Sequence, residues 1–182
     1  MKKKKPGFTL IEMIIVLALT VIVLGITSSM FITGNKVFSD SDIKSTLQMD
    51  GQAIQEKISD IGMQATTAQA VTVENSGTNE INDITINSYD KDGNLRPFTI
   101  EKKDSGSVYK DGRSKIYKLW VDGKLISSNV KSVMLDNNTI TDAKANTLKN
   151  VNSIEFTIIL RKEKGYSNIE QSVDFRVAFR NK

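Results

Sequence analysis

A long apolar run close to the N-terminus constrains this chain more than any other feature of its 182 residues. From Phe8 to Ile32, about 25 positions are almost all apolar, enough for a helix rising ~1.5 Å per residue to cross ~30 Å of hydrocarbon. One carboxylate, Glu12, interrupts the run near its start. Lys2 to Lys5 precede it, and such a basic block favours a cytoplasmic N-terminus with the rest of the chain outside.

Two simple interpretations of the run leave Glu12 unexplained. Gly25, Ser28 and Ser29 imitate a cleavage site after a secretory signal, and a plain membrane anchor needs only the apolar length. A carboxylate at the centre of a membrane-spanning helix costs ~2.5–3.5 kcal/mol on insertion scales, and it normally marks a function with a nearby partner. Glu12 therefore indicates a role beyond anchoring.

The composition leans against an enzyme and against nucleic-acid binding. The formal net charge of +4 equals the contribution of the four lysines at positions 2–5, so the rest of the chain is neutral. A neutral body gives no electrostatic footprint for nucleic acid. The chain has no histidine and no cysteine, so it lacks the usual general base, the commonest zinc ligand and any disulfide framework. We predict no cofactor and no catalytic residue.

The N-terminal stretch KKPGFTLIEMIIVLALTVIVLGI resembles a known targeting segment. A short basic leader ending in Gly7, then Phe8 and the following residues to Glu12, then the apolar run, is similar to the class III signal of type IV prepilins and related pseudopilins. The resemblance implies that a prepilin peptidase cuts between Gly7 and Phe8, on the cytoplasmic side of the helix. It also implies that the helix is retained and that the new Phe8 amine is methylated.

The same resemblance gives Glu12 a role in assembly. It implies that, in a filament, Glu12 pairs with the Phe8 amine of a neighbouring subunit and sets the axial register. Removing one partner of a buried ion pair typically costs ~3–5 kcal/mol. A simpler alternative stays open: a carboxylate in the first turn favours the helix dipole by ~0.3–1 kcal/mol.

After the apolar run, the sequence predicts an amphipathic helix. Apolar residues recur at helical spacing on one stripe, namely Ile43, Leu47, Ile54, Ile58, Ile61 and Ala65. Each glycine within a helix costs ~1 kcal/mol relative to alanine. We therefore expect a bend or break between Gly34 and Asp42 and an end near Gly62.

From Ala70 the pattern changes to the period of two that is typical of strands. Asp122-Gly123 suits a two-residue hairpin turn, and a second turn near Lys164-Gly165 joins two long alternating segments. The predicted fold is α+β, pilin-like, with a long N-terminal α-helix packed on an antiparallel β-sheet head. The expected divisions are a cleaved leader (1–7), a transmembrane and filament-core helix (8–33), an amphipathic helix (34–66) and the head (67–182).

Within the pilin superfamily, the head resembles the minor pilins of the J-type or W-type group. The similar stretches are TLQMDGQAIQEKISDIGMQA and VDFRVAFRNK. The C-terminal disulfide loop that is common in the family is impossible in a chain without cysteine. Residues 137–152 are polar and rich in asparagine, and we expect a surface loop with one helical turn.

The stretch DKDGNLRPFTIE is a weak candidate calcium loop. Asp90, Asp92, Asn94 and Glu101 occupy positions one, three, five and twelve of an EF-hand loop. Leu95 stands at position six, where the motif needs glycine, and the flanking residues predict strands. A simple turn between strands is the alternative interpretation.

The surface around Trp120 is a second weak candidate for a binding site. Trp120 alternates with Tyr117, Leu119 and Val121, so it faces the opposite side of its strand, together with Lys118. A basic-aromatic surface of this kind binds single-stranded nucleic acid in some proteins. A subunit contact is the alternative, and the neutral body favours it.

The sequence therefore predicts a minor pilin-like structural subunit, inserted with its head outside the membrane and then built into a cell-surface filament. The expected partners are other pilins, prepilin peptidase, an assembly platform protein with its ATPase, and membrane lipid before assembly. A major pilin and a pseudopilin for secretion or DNA uptake are related alternatives. A monomeric membrane-anchored binding module is an alternative of another class. The usage of lysine and asparagine suggests a bacterial, Gram-positive source.

Overall fold

The computed structural model describes residues 7–74, 78–144, 148, 151–165 and 167–180. The basic block at positions 2–5 lies outside them. A long helix, α1 (Leu10–Met63), is followed by seven strands and one short helix. In chain order these are β1 (Ala65–Val73), β2 (Ile81–Tyr89), β3 (Leu95–Val108), β4 (Lys115–Val121), β5 (Lys124–Leu135), α2 (Asn137–Lys144), β6 (Ser153–Lys164) and β7 (Ser167–Ala178). The predicted α+β architecture is confirmed.

Helix α1 is continuous over 54 residues, which corresponds to about 80 Å. The predicted end near Gly62 is confirmed, but the predicted break between Gly34 and Asp42 is wrong, because this segment is helical throughout. The polar side chains of this segment do not interrupt the helix, because they bind the head instead. Lys164 Nζ donates to Asp42 Oδ2 at 2.7 Å, and Ser39 Oγ donates to the Lys164 carbonyl oxygen at 3.4 Å.

The seven strands form one antiparallel sheet in the order of the sequence. The sheet curls, since Glu80 forms a bridge with Met134 and the Leu135 N–H donates to the Asn79 carbonyl oxygen at 3.1 Å. The predicted apolar stripe of α1 lies inside the curl. Its helical residues Ile43, Leu47, Ile54, Ile58 and Ile61 are all buried. Ala65, which was predicted to continue the stripe, is also buried but begins β1.

The two predicted turns are also confirmed. Asp122 and Gly123 join β4 to β5 with φ angles of 51° and 73°, as a type I′ hairpin turn requires. Gly165 follows β6 with φ 60°. These positions need left-handed backbone, which glycine adopts without a steric penalty.

The stretch after β5 is more ordered than the sequence predicted. Instead of a loop with one helical turn, residues 137–144 form the helix α2. Asp136 caps it, accepting from the Thr139 N–H at 3.1 Å. Ile140, Leu148 and Val151 are buried in the core, so three apolar residues dispersed among asparagines hold this segment against the head.

Two glycines of α1 allow β7 to approach the helix closely. A Cβ at Gly51 would lie 2.8 Å from Val173 Cγ2, and a Cβ at Gly62 would lie 1.6 Å from Val177 Cγ1. Both distances are too short for real contacts. These glycines therefore lower helix propensity but permit tight packing between the helix and the last strand.

We expect Gly62→Ala to destabilise the head by roughly 1–3 kcal/mol through overpacking, against a gain of about 1 kcal/mol in helix propensity. Gly34→Ala is the matched control, because nothing lies within 4 Å of its added Cβ. Urea unfolding of the full chain in detergent, followed by fluorescence of the single tryptophan, measures both. Equal stability of the two variants would contradict the close-approach role.

Candidate processing and assembly site

The N-terminus presents an exposed peptide bond just before a well-formed helix start. Gly7 and Phe8 are exposed and lie outside the helix, with Phe8 80% exposed. Thr9 is the N-cap in an extended conformation, φ −76° and ψ 153°. Leu10 then begins α1. The bond between Gly7 and Phe8 is accordingly free of helical hydrogen bonding.

Glu12 closes this helix start through a reciprocal capping box with Thr9. The Glu12 N–H donates to Thr9 Oγ1 at 3.3 Å, while the Thr9 N–H and hydroxyl donate to Glu12 Oε2 at 2.8 and 2.7 Å. The other carboxylate oxygen, Oε1, has no partner among the described residues, so it can accept a further donor. Sequence reasoning missed this box, although Thr-x-x-Glu spacing is its signature.

The helix that follows exposes an apolar surface of unusual extent. Every large apolar side chain from Phe8 to Phe38 is exposed by about half or more of its area. Among the described residues, α1 alone is long and apolar enough to cross a membrane, and none of its most apolar window is buried in the head. Exposed apolar surface on this scale indicates contact with lipid or with other proteins.

Inside the head, Lys102 joins both ends of the connection between β1 and β2. Its side chain is 1% exposed, its Nζ lies 2.5 Å from Glu74 Oε2 and 2.6 Å from Glu80 Oε1, and the Tyr117 ring lies over it at 4.4 Å. Burial opposes ionisation of Glu74, but the hydrogen bond and charge of Lys102 hold its pKa below the ordinary value. The cluster ties the connection between β1 and β2 to strands β3 and β4.

Arg161 forms a second cluster at the opposite end of the head. It is 7% exposed and contacts Glu163 at 2.6 Å and Asp111 at 3.1 Å. Backbone N–H groups of Ser114 and Arg113 lower the pKa of Asp111, and Arg161 contributes further. Burial raises the pKa of Tyr109, whose ring lies under the guanidinium at 4.2 Å, to about 12. This cluster joins the turn after β3 to the hairpin of β6 and β7.

The candidate calcium residues do not come together as a ligand set. Asp90 Oδ1 accepts the N–H groups of Asp92 and Asn94 at 2.9 and 2.8 Å, which forms a turn between β2 and β3. Glu101 lies six residues along β3 from Leu95, paired with Asp83; at ~3.4 Å per residue it is about 20 Å from the start of that strand. Among the described residues, no group of three His, Cys, Asp or Glu side chains is placed to hold a metal.

The surface around Trp120 carries both a basic and an acidic side chain, Lys103 and Glu101. Leu119 and Val121 are fully buried, which confirms the predicted alternation, and Trp120 lies on the outer face. Lys103 Nζ lies 5.6 Å from the Trp120 ring and also contacts Glu101. This lysine beside the Trp120 ring therefore already has a carboxylate partner.

Comparison with known families identifies the N-terminal segment. Residues 2–28 match the family model for the prokaryotic N-terminal methylation motif. The chain carries a class III, type IV pilin-like signal. This signal indicates a substrate of the prepilin peptidase that processes pilins and pseudopilins. Searches of curated proteins and of solved structures find no significant match, and the resemblance of the head to J-type or W-type minor pilins stays a prediction.

The pKa values predict how the stability of the head depends on pH. The pKa values of Glu74, Asp111 and Asp122 are lowered on folding, Asp122 chiefly by the hydrogen bond from Arg96. Such groups stabilise the fold above their unfolded values of 4.5 and 3.8, and this stabilisation is lost as the pH falls further. Burial raises the pKa of Tyr109 and Tyr117 to about 12, so their contribution is present below pH 10 and lost above it.

We therefore expect a melting temperature that is level from about pH 6 to 9, because the chain has no histidine. It should fall below about pH 4.5 and above about pH 10. Tryptophan fluorescence during thermal melts measures the profile. Asp111→Asn should make the melting temperature fall less steeply below about pH 4.5. Asp60→Asn, at an exposed position, is the control. If the melting temperature of Asp111→Asn falls at acid pH as steeply as that of the unchanged chain, the stabilising role of the ionised Asp111 is contradicted.

Proposed function

We propose that this chain is a minor pilin-like structural subunit of a type IV pilus or related filament. The observation that carries the proposal is the exposed apolar half of α1, continuous with a folded head and preceded by a class III signal. Prepilin peptidase cuts between Gly7 and Phe8, where the bond is exposed and outside the helix. The new Phe8 amine is then methylated.

Glu12 has two successive partners in this proposal. In the membrane, the capping box with Thr9 satisfies Oε2, and the residue sits near the headgroup boundary, where a carboxylate costs far less than at the midplane. On assembly, Oε1 accepts the cationic Phe8 amine of a neighbouring subunit. The two roles are compatible because they use different oxygens of one carboxylate.

The continuous helix suits extraction from the membrane into a filament. Residues 8–33 cross the bilayer and later form the filament core, while residues 34–66 pack on the head (67–182). The links from Asp42 and Ser39 to the β6–β7 turn hold the helix to the head at its point of exit. Other pilins, an assembly platform protein and its ATPase are the implied partners, and the subunit would prime the filament or sit at its tip.

The first prediction of this proposal concerns the mature N-terminus. Mass spectrometry of the protein from its native membrane or from shed filaments should find methylated Phe8 as the first residue. An intact Met1 would favour a monomeric membrane-anchored module. A start near residue 30 would indicate an ordinary secretory signal.

The second prediction separates the charge of Glu12 from its capping role. Gln at this position preserves a capping box but lacks the charge, so Glu12→Gln should keep membrane levels and processing yet lose filament incorporation. Leaving a buried amine unpaired costs ~3–5 kcal/mol, so the loss should be severe. Glu12→Leu should behave likewise in assembly.

Thr9→Val is the matched control, since it removes the hydroxyl of the cap and leaves the carboxylate. Incorporation is measured as the ratio of subunit in sheared filaments to subunit in membranes. Normal incorporation of Glu12→Gln would show that capping alone explains Glu12. Normal incorporation of Glu12→Leu would favour the anchored monomer.

A further inference from the structure

A groove lies at the junction between α1 and the head, on the side of the β6–β7 turn. Its volume is about 610 Å³, within the range of ~300–1,000 Å³ that is usual for small-ligand pockets. Phe31 and Ile32 of the helix form its apolar wall, and Lys164 and Gly165 of the turn face them. Both apolar side chains are about 70% exposed, so they have room to contact a further apolar group.

The position of this groove along α1 places it at the surface of the bilayer. Phe31 and Ile32 are the last residues of the apolar run, where the hydrocarbon should end. Ser39, at the upper end of the groove, is seven residues further along, or about 10 Å. The polar headgroup layer is about 5–8 Å thick on each side of the hydrocarbon. The groove therefore begins in the acyl region and ends within or just above the headgroups.

The charges around the groove favour an anionic ligand. Two lysines, Lys36 and Lys164, line it, and no carboxylate does. Lys164 gives one of its three donors to Asp42, and Lys36 has no carboxylate within ion-pair distance among the described residues. Ser167 also lines the groove; its hydroxyl is buried and lacks a hydrogen-bond partner in the part of the chain that the structure describes.

We propose that this groove binds an anionic phospholipid of the extracytoplasmic leaflet. One acyl chain lies along Phe31 and Ile32, and the phosphate is held by Lys36 and Lys164. The inference rests on the proposed membrane insertion of α1. A bound lipid would hold the head down on the bilayer and would be released when the subunit enters a filament.

The test uses the full chain in phosphatidylcholine nanodiscs that contain a photoactivatable phospholipid with a diazirine in its acyl chain. The probe carries either a phosphatidylglycerol or a phosphatidylcholine headgroup. Cross-linked peptides are mapped by mass spectrometry. Label on Lys164, Gly165 or Ser167 identifies the groove, because these residues belong to the head and not to the membrane helix.

We expect the phosphatidylglycerol probe to label the turn several-fold more than the neutral probe does. The double variant Lys36→Gln/Lys164→Gln should reduce the label roughly tenfold, since each basic residue near an anionic surface contributes to binding. Asn35→Trp fills the groove and leaves the Asp42–Lys164 pair intact, so it should also abolish the label. Gln48→Trp, on an exposed part of α1 beside the head, is the control and should label normally.

Two results would overturn the proposal: equal labelling by both probes, or normal labelling of Asn35→Trp. Label on residues 8–32 from either probe reports membrane insertion separately. If that label is present and the turn is unlabelled, only the lipid site is wrong. If residues 8–32 are also unlabelled, the proposed insertion itself fails.

Discussion

One helix must bury two different surfaces in two different places, and the rest of the structure depends on this. The stripe from Ile43 to Ile61 is covered by the curled sheet of its own head. The preceding half, from Phe8 to Phe38, has no cover within the described chain. Apolar surface removed from water contributes ~25 cal/mol per Å², so this half requires lipid or other helices. A soluble monomer does not satisfy that requirement, whereas a membrane followed by a filament does.

The head compensates for the absence of disulfides by close packing and by buried ion clusters. Gly51 and Gly62 bring β7 against α1, so the last strand of the chain is held to its first helix. Lys102 ties the connection between β1 and β2 to its own strand, and Arg161 joins the turn after β3 to the β6–β7 hairpin. A buried charge without its partner is costly, which means that each cluster also disfavours partly unfolded heads.

Local chemistry explains which features could be predicted from sequence. The Asp122-Gly123 turn follows from the need for positive φ angles, and the strands of the closing hairpin follow from strict alternation around Lys164-Gly165. The predicted break between Gly34 and Asp42 is absent because helix propensity is a weak effect, and contacts with the β6–β7 turn outweighed it. Helix α2 was missed because its apolar residues lack a regular period. At the candidate site, the roles of Gly7, Phe8 and Glu12 stay predictions, and the capping box between Thr9 and Glu12 was overlooked.

The sequence by itself determined the class of N-terminal segment, the α+β order of elements and the apolar stripe of α1. These depend on short-range patterns, namely composition, period and motif, that are complete within a few turns of chain. Only the tertiary structure decided that α1 is unbroken. It also decided that two glycines of α1 allow β7 to pack closely against the helix, and that Phe31 and Ile32 line a groove together with Lys164. The last two of these features join residues more than a hundred positions apart. Their proximity is set by how far the sheet curls around the helix, which no local pattern encodes.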